Sequence, residues 1–166
     1  MTANTIPIPE LIAIEIEERL NTILIENGYA FDVSEVVRPS RRGENWQRKH
    51  WGIGILQGTA ERNPELDCPG NPPAIAFDLT FDLECVCRDS SNSIAAHATA
   101  ANEIAAAAMK AIASSAQWHT MDDNCVNSEF GSPVPFSSPE GEMDGVTLPL
   151  IVTYRVSETN PFEVRA

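Results

Sequence analysis

With 166 residues and 18.1 kDa the chain has the size of one domain, and a mixture of 43% hydrophobic and 21% charged residues excludes wholesale disorder and a fibrous fold. Twenty-four acids against eleven bases give a net charge of −13, which removes the phosphate-neutralising term that a free-standing duplex-binding protein relies on. No apolar run approaches the ~20 residues of a membrane span, and MTANTIPIPE has neither a basic n-region nor an apolar h-region, so the expected setting is the cytosol or an assembly built there.

After the proline-containing lead, Leu11, Ile12, Ile16, Leu20, Ile23 and Leu24 recur at helical spacing with Glu10, Glu15, Glu17, Glu18 and Arg19 largely between them. This predicts an amphipathic helix, with Pro9 in its first turn and Asn27-Gly28 as its stop. Ile14 and Ile25 fall off the main stripe.

Phe31 to Val37 and Trp51 to Leu56 read as strands, joined by a basic loop at 38–50. Arg38, Arg41, Arg42, Arg48 and Lys49 stand there against Glu44 alone, so this segment carries +4 within an acidic chain. Residues 61–73, ERNPELDCPGNPP, read as a loop. In IAFDLTFDLECVCR, Ile75, Phe77, Leu79, Phe81, Leu83, Cys85 and Cys87 alternate with Asp78, Thr80, Asp82, Glu84 and Arg88, the pattern of a long strand with one buried and one wet face.

The DSSNS stretch at 89–93 supplies capping chemistry for a second helix running to Ala116, rich in alanine and therefore able to approach its neighbours closely. A Pro-rich acidic loop region follows at 119–145, with room for a short strand at Val126 to Phe130. Val146, Leu148, Leu150, Val152, Tyr154 and Val156 then mark a last strand, in which Pro149 suggests an edge or a bulge. The order predicts a single α+β domain over 1–166, with an antiparallel or mixed β-sheet and both main helices on its apolar face.

Candidate chemistry has simpler explanations. Cys85 and Cys87 could bind zinc with Cys68, Cys125 or His119, but two residues apart they continue the apolar face of a strand, and no C-x-x-C pair is present. His50, His97 and His119 stand at no catalytic motif spacing, and the glycines of WGIGILQG lack the lysine and following helix of a phosphate loop. Asp122, Asp123, Glu140, Glu142 and Asp144 do not follow EF-hand spacing and read as a solvated loop. Asp78, Asp82 and Glu84 read as a wet sheet face before they read as acid-base carboxylates. The basic segment is a solvated loop, a contact for an acidic partner with Trp46 and Trp51 as aromatic anchors, or a nucleic-acid contact that the overall charge disfavours.

Taken in order, a helix ending IENGY, a basic hairpin region, IAFDLTFDLECVC, an Ala-rich helix closed by Trp118, and VTLPLIVTYRVSETNPF resemble the tail terminator (tail completion) proteins of long-tailed bacteriophages. The stretch from Ser128 to Pro139 has no counterpart in that pattern. The resemblance implies an α+β subunit that forms a hexameric ring with itself on the head-proximal end of the tail tube. There it stops polymerisation of the tail tube protein and offers a surface to the head-tail connector or stopper protein, and to a tail sheath protein if the tail is contractile. DNA passes through such a lumen without tight binding, which an acidic subunit favours. No catalytic residue, metal or cofactor is implied, and the place of work is the neck of a virion assembled in the host cytoplasm.

On this reading Arg38, Arg41, Arg42, Trp46, Arg48 and Lys49 dock on the tube or on the adjoining subunit. Ile14 and Ile25 contribute to the ring contact, and Asp78, Asp82 and Glu84 form a DNA-repelling face. Two alternatives stand beside it: another neck component (a head-tail joining protein) or minor tail protein, and a small cytosolic enzyme built around the acids of 122–144.

Overall fold

A computed structural model describes residues 6–38, 51–87, 94–121, 123–137 and 144–164. Helix α1, Ile8–Leu20, follows Pro7, carries Glu10 in its first turn, and buries Ile8, Ile12, Ile16 and Leu20 at four-residue spacing. It ends earlier than its apolar period suggests. Thr22 Oγ1 donates to the Arg19 carbonyl at 2.7 Å and Asn21 Nδ2 to the Glu17 carbonyl at 2.9 Å, so local side chains reinforce the backbone bonds that close the last turn. Asn27-Gly28 closes a separate 3-10 turn, Ile25–Asn27, with Gly28 in the left-handed region at φ +82°.

The first strand is also shorter than expected: β1 is Glu35–Val37. The preceding residues are engaged elsewhere, because Asp32 Oδ1 accepts the Ile25 N–H at 2.6 Å and Phe31 packs on Trp51 with ring centroids 4.4 Å apart. Strand β2, Gly52–Arg62, pairs with β1 in parallel, so the basic segment belongs to a crossover and not to a hairpin. β2 runs six residues beyond the predicted end, and four of them, Gln57, Ala60, Glu61 and Arg62, pair with β3, Ala74–Cys87, across a bulge between Gln57 and Ala60. Gly58 serves that bulge: a Cβ there would stand 2.6 Å from the Thr80 carbonyl oxygen.

Helix α2, Ile94–Ile112, is followed by a 3-10 turn, Trp118–Thr120, and by two short strands, β4 (Asn127–Phe130) and β5 (Val134–Ser137). The Pro-rich acidic region therefore contributes strands to the sheet. Strand β6, Asp144–Ser157, lies between β3 on one side and β4, β5 and β7 (Asn160–Val164) on the other. Pro149 is thus in an interior strand and not at an edge. Its carbonyl accepts the Gly131 N–H at 2.8 Å, and in an antiparallel ladder the N–H of the same residue faces the same neighbour. The donor that proline lacks therefore falls at the break between β4 and β5, where no strand partner requires it.

The result is an α+β fold with a seven-stranded mixed sheet, ordered β1-β2-β3-β6-β4 with β5 and β7 also on β6. Leu79, Phe81, Leu83 and Cys85 of β3 stand opposite Val152, Leu150, Leu148 and Val146 of β6, and this face joins both helices in one core. The small buried face of α2, Ala101, Ala105, Ala108 and Ala111 around Ile104 and Ile112, lets it lie close on β3 and β6. Arg19 ties the helices together: its Nη1 donates to the Ile112 carbonyl at 2.7 Å while Nε pairs with Glu15 at 2.6 Å. No helix among the described residues is long and apolar enough to cross a membrane.

Candidate functional site

The sheet face away from the helices carries Asp78, Thr80, Asp82 and Glu84 of β3 opposite Thr153, Ile151, Pro149 and Thr147 of β6. All eight are half-buried, so this face stays in partial contact with solvent along much of both long strands. Strand geometry brings Asp78, Asp82 and Glu84 to one side, as their alternation predicts, with neighbours two apart separated by roughly 6.5–7 Å. Asp78 is held within the fold, accepting from Thr153 Oγ1 at 2.6 Å and from Asn63 Nδ2 at 2.7 Å. Toward β5 the face changes character. The Phe136 ring covers Gly145 so closely that an added Cβ would collide with it.

Of the basic segment, the structure describes Arg38, while Arg41, Arg42, Trp46, Arg48 and Lys49 lie outside the described residues. Arg38 turns back onto α1: Nη1 donates to Glu10 Oε1 at 2.7 Å and Nε to Glu17 Oε2 at 2.8 Å. The bond to Glu10 raises the guanidinium pKa further. Glu10 and Glu17 are seven residues apart, two helical turns, and so share one side of α1. This spacing is legible in the sequence, but nothing there says which arginine it serves. The ion pair walls a hollow of about 550 Å³ floored by Ala13, Ile55 and Phe81, with Gln57 and Gly58 on its strand side. Trp51 is spent within the fold, half-buried against Phe31 with its backbone in the left-handed region at φ +55°.

The two candidate ring-contact residues occupy different elements. Ile14 is half-buried within α1, whereas Ile25, in the 3-10 turn, is 60% exposed. Other large apolar side chains at the surface include Val134 on β5 and Phe162 on β7.

The cysteines are packing residues. Cys85, Cys87 and Cys125 are buried, and burial pushes the thiols of Cys85 and Cys125 up to about 12, in Cys125 against a smaller opposing pull from Arg19. Among the described residues no group of three or more His, Cys, Asp or Glu stands together as a metal site. His119 places Nδ1 3.0 Å from the Ser128 carbonyl and packs at a tilt on Trp118 with ring centroids 3.8 Å apart, so its ring braces β4. The Ser128 hydroxyl donates to the Trp118 carbonyl at 2.7 Å. Asp122, Glu140 and Glu142 of the alternative acidic site lie outside the described residues.

No protein-family model matches the chain, and no curated protein matches it. Among solved structures it is similar to a chain of the virion of a native gene transfer agent (GTA) particle, at 9% identity and a TM-score of 0.37, over 90% of this chain and 92% of that one. A likeness this slight carries no argument about function.

Proposed function

We propose that this chain is a structural virion subunit, a tail terminator that caps the head-proximal end of a phage tail tube as a hexameric ring. The observation that carries the reading is the two-faced sheet. One face is sealed by α1 and α2 into a single core, and the other is left half-exposed over its long central strands. A half-exposed face of that extent, lined by carboxylates, suits the wall of a lumen within an assembly, and the exposed Ile25, Val134 and Phe162 elsewhere on the surface suit contacts with neighbours. The order of elements shared with the tail terminator pattern supports the same reading. The buried, weakly acidic thiols and the carbonyl-bound His119 supply no assembled nucleophile and base.

In this reading Arg41, Arg42, Trp46, Arg48 and Lys49 meet the tail tube or the adjoining subunit, Ile14 and Ile25 contribute to the ring contact, and Asp82 and Glu84 repel the DNA that passes through. The head connector joins the opposite side of the ring. Tail tube protein polymerised with the purified chain tests the role. A terminator yields tubes capped at one end and shorter than those grown alone. Tubes of unchanged length with bare ends would refute capping and favour another neck component or a minor tail protein.

A further inference from the structure

We propose that Arg38 is a clasp that fixes the chain where it enters the basic segment, acting on docking through α1 and touching no partner itself. This inference rests on the docking role given above to residues 41–49. Arg38 directly follows β1, whose last residue, Val37, pairs with Gly54 of β2. It is therefore held from two sides, by the strand ladder behind it and by Glu10 and Glu17 in front, at 2.7 and 2.8 Å. The helix that carries those glutamates is itself anchored by Ile8, Ile12, Ile16 and Leu20, all fully buried, so the two carboxylates form a fixed mount.

Charge separates Arg38 from the other bases. Together with Glu10 and Glu17 it forms a trio of net −1, which offers an acidic partner no attraction, whereas the sequence of 41–49 holds four bases, Arg41, Arg42, Arg48 and Lys49, and one acid, Glu44. The fork of a guanidinium also matches the task. It engages two carboxylates through different nitrogens, which a lysine ammonium cannot do in the same fixed geometry. β1 is three residues long and parallel to its neighbour, so a small gain at its end changes how often it opens.

The test uses the full chain and two readouts. In the isolated protein, R38Q is expected to speed amide hydrogen exchange at Glu35–Val37 by about two- to fivefold, the range given by partly exposed ion pairs. The charge-swapped variant R38E/E10R/E17R restores protection if it melts at the wild-type temperature, and R38K serves as the conservative variant with partial protection. On tube ends, R38E weakens docking and the swap recovers it. Unchanged exchange in R38Q overturns the clasp. A swap that restores β1 protection but not docking overturns the positioning role and makes Arg38 a direct contact. A wild-type chain that never docks overturns the assembly reading, and the exchange measurement then decides the clasp by itself.

Discussion

Replacing Arg19 with methionine removes a side chain that links the C-terminal ends of both helices. Arg19 is 7% exposed, and its guanidinium serves the Ile112 carbonyl at 2.7 Å and the Glu15 carboxylate at 2.6 Å. Methionine fills much of the same volume, so the loss is chiefly polar. A buried carbonyl left without its donor costs about 1–3 kcal/mol. Glu15, with a side chain 19% exposed, regains some water when unpaired and adds about 1 kcal/mol, well below the 3–5 kcal/mol of a fully buried pair. The expected destabilisation is about 2–4 kcal/mol, a large part of the roughly 5–15 kcal/mol that holds a domain folded. At about 2–4 °C per kcal/mol for this chain length, Tm falls by about 5–15 °C. Urea unfolding followed by circular dichroism measures it, with R19M/E15Q recovering about 1 kcal/mol because the orphaned charge is gone. An R19M variant within about 0.5 kcal/mol of wild type would refute the reasoning, since the desolvation of the arginine would then cancel what its bonds contribute.

Gly58→Val should destabilise by about 1–3 kcal/mol in the same assay, because the new side chain starts 2.6 Å from the Thr80 carbonyl and backbone must shift to admit it. Thiol labelling of the native protein near pH 8 should modify half-buried Cys68 first and leave Cys85 and Cys125 unreacted until the chain unfolds. Those two thiols are raised from 9 to about 12 by burial, so their contribution to stability is fully present below pH 9 and is lost as pH rises from 9 to 12; stability constant across that range would contradict their burial. Reversing the charge of Arg41 and Arg42 together should weaken docking on tube ends at physiological salt with little change in Tm, and unaltered docking would remove the basic segment from the contact.

Much of the fold is legible because the two long strands and the helices carry full amphipathic periods. The alternation through Phe77, Leu79, Phe81 and Leu83, matched by Leu148, Leu150 and Val152, announces one buried and one wet face. What the periods cannot show is where local hydrogen bonds override them. Ile23 and Leu24 continue the α1 stripe, yet Thr22 and Asn21 end the helix by bonding its carbonyls. Phe31 has strand propensity but packs on Trp51, and Gln57 to Arg62 join β2 without apolar alternation because a glycine bulge shifts the register and lets pairing with β3 resume at Ala60. Pro149 misleads in the opposite direction, since only the tertiary pairing reveals that its missing donor points at a gap.

The candidate surfaces are less legible for a physical reason. A catalytic site announces itself through residue types at fixed spacing, whereas a contact surface is defined by its complement. Asp82 and Glu84 look the same in a sequence whether they face solvent, a neighbour or a lumen. The Arg38 clasp is visible only once β1 and α1 are placed side by side.

The most direct test of the assembly account is native mass spectrometry of the purified chain, with negative-stain images at high concentration. The account predicts closed rings of six 18.1-kDa chains with a central opening. A chain that remains monomeric at high concentration and also in the presence of tail tube ends would contradict it.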